Sequence, residues 1–211
     1  MKGLVRYDLA QLTGNSKRSF YLLYFVGLIV VGLVVGGGRI FSYMAVMIGC
    51  MMGVSFFSYE TWYHWDRYCA AMPLSNRQII VSRYISLLIT TGCGALIGLV
   101  IGLLSFATGR MDLSWTQWLI SLLQTIFAAL VYMEIEIPVM YRFGVERGRL
   151  INVLLFVVLY SGALVLSEFS QIPAEFATIV RIVFGVAWLI VLLLFPVSIA
   201  VSMRIRAKKE Y

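Results

Sequence analysis

Apolar runs long enough to cross a bilayer recur along this chain, and they decide what it can fold into. A hydrocarbon core of ~30 Å takes about 20 helical residues. It offers backbone amides no water, so each run must satisfy its own hydrogen bonds. A stretch such as "YISLLITTGCGALIGLVIGLLSFAT" (84–108) meets both demands as a helix. The runs are continuous and do not alternate, which argues against a β-barrel. A soluble fold is excluded by composition: with 61% hydrophobic and 13% charged residues, too little polar surface remains to cover a core. The expected fold is an all-α membrane protein forming a single transmembrane domain over residues 1–211. Its six transmembrane helices lie at Phe20–Gly37, Ile40–Ser58, Tyr84–Thr108, Trp115–Glu136, Leu150–Ser167 and Thr178–Met203. The first run is span-length and lacks a small-residue cleavage site, so no signal peptide is expected.

The net charge of +7 matters less than its placement. On this map one face collects Lys2, Arg6, Lys17 and Arg18, then Arg67, Arg77 and Arg83. Arg142, Arg147 and Arg149 follow, and finally Arg204, Arg206, Lys208 and Lys209. The opposite face keeps Arg39, Arg110 and Arg181. Short loops obey the positive-inside rule, so both termini are expected in the cytoplasm. The charge is thus a topology signal, and nucleic acid is not an expected partner. Outer connections are minimal: "GGGR" at Gly36–Arg39, "GRMDLS" and "SEFSQIPAEFA".

Catalytic and metal signals are weak, and no catalytic residue or metal site is assigned. His64 is the single histidine, so metal sites and triads built on histidine lack parts. It sits among Trp62, Tyr63 and Trp65, which fits an interfacial aromatic belt. Cys50, Cys69 and Cys93 have no redox or metal spacing and read as free thiols. Glu134 and Glu136 are the candidate pathway groups, because an ionisable side chain inside a membrane marks function by default. Counting about 20 residues from Trp115 puts both near the inner edge. There they could equally pair with Arg142 or Arg149. Two residues apart, they point about 200° from each other and cannot share a helix face. Pro138 follows and should kink or end that helix. Gly32/Gly36, Gly49/Gly53 and Gly94/Gly98/Gly102 are spaced four apart, which permits close helix approach within or between subunits.

The segment "YHWDRYCAAMPLSNRQIIVSRY" (63–84) is a polar, aromatic island between apolar runs. Tyr59, Trp62, Tyr63 and Asp66 have helical spacing, as in a short surface helix. Pro73 must break it. Ser75 with Gln78 three residues later is a capping box that opens the next span. The turn between them would project Met72 and Leu74 outward, and apolar knobs of that kind want a groove.

The island, "YETWYHWDRYCAAMPLSNRQIIVSRY", resembles the first cytoplasmic loop of permease subunits of ABC exporters of the type-two superfamily. A second stretch, "IPVMYRFGVERGRL" (Ile137–Leu150), resembles the junction after the fourth span in that family. In size and pattern the chain is similar to the small permeases of the phenol-soluble-modulin exporter. The resemblance implies a short coupling helix between spans 2 and 3, seated on a separate ABC ATPase. It places Glu60, Trp62, Trp65, Asp66, Arg67, Met72, Pro73 and Leu74 at that interface, with a second cytoplasmic contact at Arg142, Glu146 and Arg147. Residues 1–19 would form an interfacial helix, and Leu4, Val5, Leu9 and Leu12 do give it an apolar stripe, opposite Lys2 and Arg6 in part.

The resemblance further implies two ATPase copies, which hold the ATP and Mg, and a second permease copy, identical or paralogous. This chain binds no cofactor of its own and is not an enzyme. The expected location is the cytoplasmic membrane of a bacterium, and the expected cargo is an amphipathic or hydrophobic peptide, possible members being cytolytic or antimicrobial peptides, or a lipid. The alternative is a substrate-binding membrane subunit of an uptake complex, but its outer loops should then carry polar and aromatic contacts, and here they are nearly bare. An intramembrane enzyme is more remote, for want of catalytic pairs.

Overall fold

Two helix starts are written locally. Ser75 and Gln78 close the expected capping box: the Gln78 N–H donates to Ser75 Oγ and the Ser75 N–H to Gln78 Oε1, both at 3.2 Å. Ser114 and Gln117 repeat the device before the next helix, with backbone-to-side-chain distances of 3.2 and 3.4 Å. Each reciprocal pair satisfies amide donors that a helix start leaves orphaned.

The computed structural model describes residues 2–13, 25–32, 34, 38–63, 75–111, 113–168 and 174–208. These form six helices: α1 (Lys2–Thr13), α2 (25–32), α3 (Gly38–Trp62), α4 (Asn76–Ala107), α5 (Trp115–Glu168) and α6 (Ala174–Ala207). Among the described residues there is no strand. The protein is an all-α membrane protein, with four helical stretches long and apolar enough to cross a bilayer: Gly38–Trp62, Asn76–Ala107, Trp115–Val158 and Gly185–Ala207. Half of the expected first span lies outside the described residues, and α2 falls within it.

The α5 stretch carries two expected spans. The window Trp115–Val158 has 44 residues, roughly 66 Å as a straight helix and about twice the hydrocarbon thickness. It is not straight. Gly144 has φ 75°, a left-handed conformation that breaks the helix. A Cβ on Gly148 would lie 2.7 Å from Met140 Sδ and 3.6 Å from its Cα, whereas an unbroken helix holds residues eight apart about 12 Å from each other. The chain therefore folds sharply at Gly144, and Leu155 and Phe156 return to pack on the core. The sequence led us to expect the break at Pro138. The helix runs through Pro138 instead, for a tertiary reason given below.

The helices α3 and α4 lie antiparallel and nearly backbone to backbone. A Cβ on Gly49 would stand 2.6 Å from the Thr90 carbonyl, one on Gly94 2.5 Å from the Ala45 carbonyl, and one on Gly98 2.6 Å from the Ser42 carbonyl. The spaced glycines thus serve packing within this chain, with Gly102 under the buried ring of Trp118. The core centred on Tyr43, Met47, Phe56, Leu87, Trp118 and Tyr132 joins α3, α4 and the first arm of α5. By contrast α6 keeps most of its apolar surface outward, Leu189, Leu192 and Leu193 among it, as suits a lipid-facing helix.

A side chain at the close contact should be costly. Gly94→Val is expected to destabilise by about 1–3 kcal/mol through overpacking, read as a lowered thermal unfolding temperature in detergent. Gly92→Ala, two residues away on the other side of the helix with nothing within 4 Å of the new Cβ, should leave that temperature unchanged.

Candidate coupling and pathway sites

At one end of the bundle three helices meet on a single guanidinium. Arg83, near the start of α4, is 2% exposed. Its Nη1 lies 2.8 Å from Asp8 Oδ1 on α1, and its Nη2 lies 2.6 Å from Glu60 Oε1 at the end of α3. Ser86 Oγ donates to the other Asp8 oxygen at 2.9 Å. The guanidinium also stands over the Phe57 ring, 5.6 Å from its centroid. Arginine suits this position because its planar fork serves two carboxylates and stays charged. Burial pushes the Asp8 carboxyl above its ordinary range, against the opposing pull of Arg83 and of the Ser86 hydrogen bond.

The cluster has a particular location. Glu60 and Arg83 belong to the two helices that flank the segment 64–74, and Asp8 ties α1 to both. Such a clasp adds little net stability, because desolvating charges offsets their attraction, but it is costly to break. Its value is geometric: it fixes the spacing of the two stems.

The expected interface residues divide accordingly. Glu60 faces inward to Arg83 and is 5% exposed, whereas Trp62 is 79% exposed. The separate surface helix expected from Tyr59 does not begin there; residues 59–62 complete α3, and the Tyr63 N–H donates to the Tyr59 carbonyl. Trp65, Asp66, Arg67, Met72, Pro73 and Leu74 lie outside the described residues, as do His64 and Cys69. Arg142, Glu146 and Arg147 are exposed just beside the Gly144 elbow. The structure brings the two expected contacts together: Tyr59 and Trp62 share a cavity of about 520 Å³ with Glu146 and Arg149. Arg149 Nη2 donates to Ser58 Oγ at 3.2 Å.

Glu134 and Glu136 do point apart. Glu134 faces α6 beside a shallow recess of about 240 Å³ that includes Pro138, Leu194 and Ser198. Pro138 has no N–H, so the carbonyl four residues earlier, that of Glu134, loses its helical donor. Ser198 Oγ donates to it at 2.5 Å. With that proton committed, Tyr84 OH must donate to Ser198 Oγ across their 2.7 Å contact, and Ser202 to Tyr84 at 3.3 Å. This relay lets the helix continue past the proline.

Glu136 is enclosed by other helices, which the sequence did not indicate. It is fully buried beside Gly53 and Leu87. Gly53 lies nine residues before the end of α3, or about 13 Å along the axis. A Cβ at Gly53 would fall 2.8 Å from a Glu136 oxygen, so glycine makes room for the carboxyl. Neither Arg142 nor Arg149 pairs with it, and among the described residues its oxygens have no hydrogen-bond partner. Tyr132 OH and Thr91 Oγ1, also buried in this core, likewise lack one. The sequence reading missed Asp8 and the role of Arg83. The available signal was an acid on the apolar stripe of α1, which needs a cation, and an arginine directly before an apolar run.

Long apolar helices with a buried ionic cluster at one end define a membrane-embedded protein. The sequence fits the family described as ABC-2 family transporter protein over residues 3–206, and the chain belongs to that family. It is therefore an integral membrane permease subunit of an ABC transporter, a class that works with an ABC ATPase. Neither a curated protein nor a solved structure matches it.

Two stability experiments follow. Arg83→Ala strands two buried carboxylates and should cost about 3–5 kcal/mol, whereas the joint replacement Asp8→Leu, Glu60→Leu, Arg83→Met should recover most of the thermal stability. Ser198→Ala should cost about 1 kcal/mol in wild-type background and clearly less beside Pro138→Ala, which restores the backbone donor; a double-mutant cycle reads the coupling.

Proposed function

We propose that this permease serves an ATP-driven exporter and that its coupling element is the segment 64–74. The observation carrying this reading is the buried Arg83 clasp, which ties both stems of that segment to α1. A loop meant to transmit force must not hinge at its base. Below it α4 is a 32-residue helix, about 48 Å of stiff lever that passes the core residue Leu87. ATP binding and hydrolysis, with Mg, occur on two copies of the partner ATPase, which push the loop and rock the permease. The exposed Trp62 and the Glu146–Arg149 edge of the adjoining cavity form one composite contact for that partner, with Arg142 and Arg147 beside it.

In this reading the chain crosses the cytoplasmic membrane of a bacterium six times with both termini inside, as the distribution of lysine and arginine favours. Two permease copies, identical or paralogous, line the pathway. The cargo is an amphipathic or hydrophobic peptide or a lipid, as the family resemblance to modulin exporters favours. Glu136, buried among α3, α4 and α5, becomes a polar contact for that cargo when these helices part.

Replacing Pro73 and Leu74 by glycine and serine should keep the complex's basal ATP hydrolysis within about twofold while abolishing its stimulation by transport. Cargo-stimulated hydrolysis at the wild-type level in that variant would remove the segment from the mechanism. A cysteine at Trp62 is expected to cross-link to the ATPase, and one at Leu193, on the opposite lipid-type surface, is not.

A further inference from the structure

A recess of about 380 Å³ lies between α1 and α4, lined by Val5, Leu9 and Ile85 and bordered by Lys2 and Arg6. On α1 the four residues Lys2, Val5, Arg6 and Leu9 follow the i, i+3, i+4, i+7 spacing of one helix face. The cations therefore stand over the apolar recess and not opposite it, as the stripe alone had indicated in part. Lys2 and Arg6 are exposed, and no ion pair within the described residues engages either.

The apolar surface does not end at Ile85. By helical spacing the same face of α4 continues as an exposed apolar strip through Leu88, Ile89 and Leu96. Gly92 leaves open space in the middle of that strip. From Ile85 to Leu96 the strip runs about 16 Å along the helix, away from α1 and along the membrane-crossing part of α4. Two cations at one end of an apolar recess and strip match one chemistry: an anionic head on a hydrocarbon tail. Zwitterionic lipids lack the net charge, and a soluble anion would leave the strip uncovered.

We infer that this groove binds an anionic phospholipid, its phosphate at Lys2 and Arg6 and one acyl chain along Val5, Leu9, Ile85 and the strip below. The lipid then presses α1 against α4 on the face next to Asp8, whose carboxylate reaches Arg83. Bound lipid thereby supports the clasp at the base of the 64–74 segment, and headgroup composition becomes an input to the permease. Binding is a property of this chain alone and does not depend on which cargo or ATPase it serves.

The test is native mass spectrometry of the full-length purified chain with equimolar phosphatidylglycerol and phosphatidylcholine of identical acyl chains. Wild-type protein should retain phosphatidylglycerol preferentially. Lys2→Gln and Arg6→Gln should each weaken retention about fivefold, as a juxtamembrane cation does. Arg204→Gln, an exposed cation elsewhere, should leave the preference intact. Ile85→Trp, which fills the recess, should lower retention with every charge in place. Equal retention of the two lipids by wild-type protein would overturn the inference. So would a loss at Arg204→Gln as large as that at Arg6→Gln, or full displacement of the lipid by glycerol phosphate, which would mark a simple anion site.

Discussion

One guanidinium organises the end of the molecule where its chemistry is concentrated. Arg83 is buried with two carboxylates from two other helices, an arrangement that would be expensive with any member missing. Because the net gain from such a triad is small, stability is a poor explanation for it. Position is a better one. The triad joins an amphipathic N-terminal helix to both stems of the one long polar segment between apolar helices, so α1, α3 and α4 move as a unit at that end. Deeper in the bundle the same α3–α4 pair is locked by glycine contacts on carbonyl oxygens. The two helices form a stiff hairpin from the clasp to the far end.

The second half of the chain is built differently. Arms of α5 fold over Gly144, and α6 is held to α5 and α4 through Ser198, Ser202 and Tyr84. Much of this half is apolar and outward. Glu136 sits on the boundary between the halves, buried beside Gly53 and without a partner. A carboxyl kept there carries a desolvation cost that no hydrogen bond among the described residues offsets.

Much of this was legible because it is local. The capping box at Ser75 and Gln78 needs four residues of sequence, and the glycine spacing of α3 and α4 signals close helix approach, though not whether within or between subunits. The distant partnerships were not legible. Arg83 counted as one more positive charge at the membrane edge, since nothing in its neighbourhood names Asp8, seventy-five residues earlier. Pro138 reads as a helix terminator until Ser198 supplies the missing donor from another helix. The enclosure of Glu136 was not legible for the same reason, since it is made by residues of other helices. In each case a tertiary contact changed the meaning of a locally correct rule.

The central claim is that the Arg83 clasp sets the separation of the two stems. Pulsed electron resonance between spin labels at Tyr63 and Arg77, both exposed, measures that separation in the full-length protein in lipid. The account predicts a single narrow distance distribution for the otherwise wild-type chain and a distinctly broadened one when Asp8→Leu, Glu60→Leu and Arg83→Met are introduced together. An equally narrow distribution at the same distance in both proteins would contradict it.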